Sequence, residues 1–421
     1  MCSKQTTHRK IFNPLYIYPL AILLGVISGY SDSVVLKFLG SLVSDVFIRI
    51  FKCISLPIIA LSIIVTLSNY STNAAMKTTW RRAMTYTLGT TLVAAFISFM
   101  LYLLIEPSMI HAAKNTHVIT PTTQLSYLEH LSNLIPATIL APFIEQQVMS
   151  VLLLSIVIGI AIRFISDDMP RQTITAFFKG VHSLFMVITS WVIAIIPIGL
   201  FGFVTITVEQ LRSGMALKGI GEYLLIIVLA NLIQGFIILP LWLRSQGIAP
   251  FVSMKKMLPA LSLAFFSKSS VGTLPVTIKT AENNLKIKPE ISRFVLPLCT
   301  SLNMNGCAAF IFATVIYLMQ NHGITITVPM MFMWVFISTI AAIGNAGVPM
   351  GCFFLSASLL ASMNVPITLM GIILPFYSLI DMLETALNVW SDSCVATVVD
   401  KKLHTQLTQE ITAGNPSNAA L

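Results

Sequence analysis

Apolar residues run along this chain in long blocks, not in the one-sided helical or alternating patterns of a water-soluble domain. Blocks long enough to cross a bilayer, which takes about 20 helical residues, recur from Tyr16 to Val399. Spans are predicted near 14–31, 44–68, 83–105, 134–165, 180–207 and 220–243, with short loops and one longer polar loop around 107–133. Rich Leu, Ile, Met and Phe content with weak period-two alternation favours helices over a barrel.

The C-terminal part departs from this pattern. "SKSSVGTLPV" (267–276) and "GNAGVPMG" (344–351) are turn-forming and too polar for lipid, yet each is flanked by apolar residues. Irregular backbone at membrane depth is tolerated only where protein or a water-filled cavity surrounds it. Each stretch is followed by an apolar helix carrying polar groups, "NMNG" (303–306) after the first and "DMLETALNVWSD" (381–392) after the second. A hairpin-plus-helix unit occurring twice points to inverted repeats with a binding site near the bilayer midplane.

Composition turns these spans into a class. The 421 residues are 56% hydrophobic and 10% charged, with a mean hydropathy of +0.86, whereas soluble domains carry about 25% charged residues. The chain is predicted to be an all-α polytopic membrane protein. Its net charge of +9 is dispersed over short connections, as topogenic charges are, which argues against nucleic acid as a partner.

Lys4, Arg9 and Lys10 precede the first span, and Lys77, Arg81 and Arg82 lie between the second and third. The 106–133 loop holds Lys114 as its sole Lys or Arg. This asymmetry places the N-terminus in the cytoplasm. The clusters Lys255/Lys256, Lys286/Lys288/Arg293 and Lys401/Lys402 share that side if the two interrupted segments are re-entrant, which puts the C-terminus in the cytoplasm too. The first apolar block lacks a small-residue cleavage pattern and is read as a retained helix. Six scattered cysteines and seven histidines show no ligand spacing, so neither a disulfide framework nor a zinc site is expected. Compact loops favour a bacterial inner membrane.

Candidate chemistry is concentrated near the C-terminus, since no Asp, Glu, Lys or Arg lies between Arg293 and Asp381. At about 100° per residue, Asp381, Glu384, Thr385, Asn388 and Asp392 fall at roughly 0°, 300°, 40°, 340° and 20°, forming one polar stripe. Each carboxylate in a bilayer helix costs about 2.5–3.5 kcal/mol on the lenient insertion scale. Solvation by a cation or ligand explains three of them economically; an ion-pair network is the alternative, although the first hairpin tip offers Lys268 alone. Asn303 and Asn305, with Gly306 beside them, supply hard amide oxygens and an easily unwound backbone of the kind alkali cations need. An interhelical asparagine zipper is the competing reading.

Together these motifs resemble the dicarboxylate/amino acid:cation symporter family, the glutamate transporter fold, over nearly the full chain. "SKSSVGTLPVT" looks like that family's first hairpin tip and "NMNGC" like its Asn-Met-Asp-Gly-Thr motif. "GNAGVP" looks like its second hairpin tip and "DMLETALNVWSD" like its substrate-binding eighth helix. "DVFIRIFKCISLPII" and "IIPIGLFGF" resemble its second and fifth helices.

The resemblance implies eight transmembrane helices plus two re-entrant helical hairpins. It implies a homotrimer in which transport parts, about 83–106 and 215–402, slide against scaffold parts, about 12–80 and 134–207, with 403–421 as a polar tail. Sodium would be the coupling ion, with no further cofactor. Asp381 would hold the substrate's amino group and Asn388 its backbone, while Lys268, Ser269 and Ser270 of the first hairpin tip would border the α-carboxylate. Cys307, Val348, Cys352, Glu384 and Thr385 would line the rest. For cations, Asn303, Asn388, Asp392 and the Cys299 carbonyl resemble one site. Ser301, Met304, Ala342, Ile343 and Asn345 resemble a second. Thr87, Thr90, Thr91, Asn303 and Asn305 resemble a third.

Four departures carry expectations. Glu384 stands where acidic-substrate members have arginine. A substrate carboxylate about 5 Å away would be repelled by roughly 3 kcal/mol at an effective dielectric of 20. A neutral polar amino acid is therefore expected over glutamate or aspartate, unless Lys268 neutralises Glu384 or Asp381; a Glu384 kept protonated by burial would add proton coupling. Asn305 replaces an aspartate, so fewer coupled sodium ions are expected. Cys307 replaces a threonine and Thr87 an aromatic residue. An anion channel is a different class of reading. An intramembrane hydrolase using Ser269 or Ser270 lacks a histidine partner, His322 lying in a predicted loop.

Overall fold

The computed structural model describes residues 14–68, 74–109, 136, 138–145, 148–212, 218–345, 350–363, 365–366 and 368–412. Among them, regular structure is helical throughout. The N-terminal half contains α1 (Pro14–Tyr30), α2 (Val34–Ser68), α3 (Ala74–Ile105), α4 (Ala141–Ile144), α5 (Val148–Arg163) and α6 (Asp168–Arg212). Helices α1, α2, α5 and α6 pack on one another, and the backbones come close: a Cβ on Gly202 would stand 2.7 Å from the Gly40 carbonyl. Small residues at such crossings let membrane helices approach without a hydrophobic driving force.

Helix α7 (Lys218–Ile233) continues through a π-helical turn, Gln234–Ile238, into α8 (Leu239–Ser245). Then α9 (Pro250–Ser267) and α10 (Ser270–Thr280) form the first hairpin, joined by Lys268 and Ser269 alone. Lys268 caps α9 at φ 55°, and the Ser269 hydroxyl caps α10 by accepting from the Gly272 N–H at 3.0 Å. The expected irregular stretch 267–276 is thus compressed into two residues. A serine cap satisfies the new helix start, and helix resumes despite Gly272 and Pro275.

After α11 (Pro289–Leu302) and α12 (Asn305–Asn321), the second hairpin follows as α13 (Val328–Ile343) and α14 (Gly351–Ser362). Its tip, 344–350, includes positions 346–349 outside the described residues. Helix α15 (Thr368–Thr412) closes the structure, so the first ten residues of the expected polar tail are helical.

Four helical segments among the described residues are long and apolar enough to cross a membrane: Thr78–Ile105, Gly219–Ser245, Pro289–Asn321 and Leu369–His404. The predicted all-α polytopic architecture is what the structure has. Helix α12 is the centre of the fold, buried from Asn305 to Met319 and packed against α3, α7, α13, α14 and α15.

Candidate functional site

Helices α11 and α12 are collinear in sequence but broken at Asn303 and Met304, whose ψ angles of 71° and 65° lie outside the helical range. The break turns side-chain amides into a network. Asn303 Nδ2 donates to Asp392 Oδ1 at 3.0 Å and to Ser391 Oγ at 2.8 Å. Asn303 Oδ1 accepts from Thr90 Oγ1 at 3.0 Å and from Asn305 Nδ2 at 2.8 Å. Asn305 Oδ1 accepts from Gln234 Nε2 at 2.6 Å, and that same nitrogen reaches the Thr90 carbonyl. Four elements, α3, the π turn after α7, α12 and α15, are thereby tied at one depth.

Gly306 is where α12 touches α15. A Cβ there would lie 2.8 Å from the Asn231 amide oxygen and from Glu384 Cα and Cβ. Its N–H donates to Asn388 Oδ1 at 3.0 Å. Two amides and a glycine therefore interrupt an apolar helix for one reason: the amides bond across the break, and the glycine lets the carboxylate-bearing helix come close.

The predicted stripe on α15 faces inward as a unit, with none of Asp381, Glu384, Thr385, Asn388 and Asp392 more than 5% exposed. Among the described residues none of the three carboxylates makes an ion pair with Lys or Arg. Asp392 accepts from Asn303 and, at 3.3 Å, from Thr300. Asp381 Oδ2 accepts from the Met350 N–H at 3.2 Å, where the second hairpin tip reaches α15. Glu384 Oε2 accepts from Tyr377 at 3.3 Å, while its Oε1 has no partner. Lys268 donates to Ser378 and lies within electrostatic reach of Asp381.

Lys268, Ser378, Asp381 and Met350 line a cavity of about 300 Å³ whose far wall is Ile22, Ile196 and Leu200 of α1 and α6. Both hairpin tips thus open onto one space, each through a residue with positive φ, Lys268 at 55° and Met350 at 60°.

Around Asn345 the site is sulfurous. Its Nδ2 lies 2.8 Å from Cys307 Sγ, 3.4 Å from Cys352 Sγ and 3.7 Å from Met304 Sδ. Cys307 and Cys352 are joined as a disulfide, a single pair where the scattered cysteines gave no expectation of a disulfide framework. The partners are 45 residues apart on α12 and α14; hairpin docking brings them together, so local spacing carried no sign of it.

Of the remaining predicted residues, Ser270 and Ala342 are buried and Ile343 partly so. Ser301 donates weakly to the Pro297 carbonyl, and the Cys299 carbonyl accepts from the Asn303 N–H at 2.7 Å. Thr87 turns to Cys299 Sγ at 3.6 Å, while Thr91 Oγ1 is buried without a partner. Thr385 caps back onto the Asp381 carbonyl. Val348 lies outside the described residues.

Sequence reasoning missed Gln234, Asn231, Ser391, Thr300 and Tyr377. Asn231 and Gln234 sit in an apolar span, as Asn303 and Asn305 do, and the same criterion would have found them. The π turn starting at Gln234 frees the Gly235 carbonyl to accept from Trp390 Nε1 at 3.1 Å; such turns cluster at functional sites.

The donor set suits a small hard cation, since amide, hydroxyl and carboxylate oxygens converge and the buried oxygens Thr91 Oγ1, Gln234 Oε1 and Asn231 Oδ1 lack partners. A sequence model of the sodium:dicarboxylate symporter family matches residues 17–402. The chain is 26% identical to a putative sodium-dependent excitatory amino acid transporter of Caenorhabditis elegans, over 86% of this chain and 83% of that one. It is 25% and 24% identical to the neutral amino acid transporters B(0) of Oryctolagus cuniculus and Homo sapiens, over 83% of this chain and 71% of each of theirs. With its family model matched from the first helix to the last, this multi-pass membrane protein belongs to the sodium:dicarboxylate symporter family.

Proposed function

We propose that the chain couples sodium entry to the uptake of a neutral polar amino acid by elevator-type alternating access. One observation carries the reading: Asp392 is fully buried in a network of amide and hydroxyl groups, with no basic partner among the described residues. A buried charge without a partner is strongly unfavourable, and sodium bound among Asp392, Asn303, Asn388 and the Cys299 carbonyl supplies the missing charge. A second ion binds beside Met304, Ser301, Ala342, Ile343 and Asn345, while Thr87, Thr90, Thr91, Asn303 and Asn305 form a third, weakened site. Asn305 offers only an amide at the last site, and fewer than three sodium ions accompany each substrate.

The substrate's amino group pairs with Asp381 and its backbone with Asn388. Its carboxylate meets Ser270 and the N–H groups that begin α10, a helix start being a ready anion site. Glu384 excludes acidic side chains from the space lined by Cys307, Val348, Cys352 and Thr385. Names of relatives support both substrate classes, one being an excitatory and others neutral amino acid transporters. Lys268 beside Asp381 favours the second reading, an acidic substrate. The eight-span count, the division into scaffold and transport parts, the homotrimer, cytoplasmic termini and a bacterial inner membrane belong to the same proposal.

A thermal-shift screen of amino acids with and without sodium tests it, because a ligand that binds only the folded state stabilises it. Stabilisation by serine or glutamine that requires sodium supports the reading. Stabilisation by aspartate alone selects the acidic alternative. Indifference to every amino acid with sodium present sinks both and leaves the channel class.

A further inference from the structure

Cys307, Cys352 and Glu384 come from three elements, α12, α14 and α15, yet their ligand atoms all lie within 4.8 Å of one another. Each residue is about 1% exposed. Glu384 Oε1 has no hydrogen-bond partner, and neither does the nearby Asn345 Oδ1. A buried carboxylate oxygen left bare beside two sulfur atoms is not a donor set for sodium, which favours sites made mostly of oxygen. Two thiolates and a carboxylate are ligands of a borderline-soft divalent cation, for which three protein ligands with a fourth open position is a common set. Met304 Sδ lies across the Asn345 amide at 3.7 Å from its nitrogen, adding a soft donor to the surroundings.

We propose that the reduced protein binds a divalent cation of the zinc class at Cys307, Cys352 and Glu384. In the structure the two sulfurs are bonded to each other, so the site opens by reduction. A thiol reductant gives up two electrons and two protons and becomes a disulfide, while the Cys307–Cys352 bond breaks to two thiols. Metal binding then displaces both thiol protons to solvent, leaving two thiolates and the Glu384 carboxylate around the ion. Both states link the same helices: the disulfide joins α12 to α14 directly, and the ion joins them through α15 as well. The second hairpin is tethered either by oxidation or by metal, and is free only as the metal-free dithiol. The inference holds whichever amino acid is carried.

The test is a cadmium titration of the full chain, purified in detergent and reduced, in a Cys2→Ser/Cys53→Ser background, read by thiolate-to-metal charge-transfer absorbance. A saturable band is expected that is missing without reductant and in Cys307→Ser or Cys352→Ser. Glu384→Gln should keep the band but need at least about tenfold more cadmium, as losing a direct ligand costs no less than losing its supporting partner. Absence of a band in the reduced parent protein overturns the site without reference to how any variant folds. A band that survives Cys307→Ser together with Cys352→Ser also overturns it.

Discussion

Asn303 Nδ2 lies 3.0 Å from Asp392 Oδ1, so the break in the α11–α12 helix is bonded directly to the acidic stripe of α15. That bond orients the carboxylate and leaves Asn303 Oδ1 facing Thr90 and Asn305. Hydrogen bonds to charged groups are worth about 1.5–3 kcal/mol. Asn303→Ala should therefore raise the sodium concentration giving half-maximal stabilisation by about tenfold or more, read by thermal shift at saturating amino acid.

Glu384 sets charge selectivity. Replacing it with glutamine removes a repulsion of roughly 3 kcal/mol toward an acidic side chain at an effective dielectric of 20. Aspartate affinity should rise by about a hundredfold in Glu384→Gln, with serine affinity changed far less. Competition of unlabelled aspartate against labelled serine measures both. An unchanged ratio means that Glu384 does not face the side chain.

Gly306→Ala should destabilise the protein, since the new Cβ would sit 2.8 Å from Glu384 Cβ and from the Asn231 amide oxygen. Overpacking of this kind costs about 1–3 kcal/mol. A lowered unfolding midpoint, with serine binding lost before sodium binding, is the expected signature because the clash pushes α15 at Glu384.

Gln234→Leu tests the amide that the sequence reading passed over. Its Nε2 is a donor to Asn305 Oδ1 at 2.6 Å, and an unpaired buried acceptor costs about 1–3 kcal/mol. Stability measured without sodium should fall. Saturating sodium should restore part of the loss, as a cation can take the place of the missing donor at Asn305.

The extent to which these features could be read from sequence follows from their range. The α15 stripe needed only the helical repeat, and it is buried as a unit. Asn303 and Asn305 stood out because amides are rare in apolar spans. Gln234 carries the same signal, but its bridge to Asn305 was not legible, since nothing local distinguishes an amide facing α12 from one facing another neighbour. Lys268 could not be assigned between Asp381 and Glu384, because the answer depends on how far the first hairpin tip reaches; it reaches Ser378. Cys307 and Cys352 meet only through docking of the second hairpin.

The central claim is that the buried Asp392 charge is neutralised by sodium that travels with a zwitterion. Labelled serine uptake into liposomes containing the purified protein, with sodium outside and potassium inside, tests it most directly. Concentrative uptake that vanishes when choline replaces sodium, and in Asp392→Asn that remains folded, is the result predicted. Uptake of equal rate and extent in choline, or undiminished in Asp392→Asn, would contradict it.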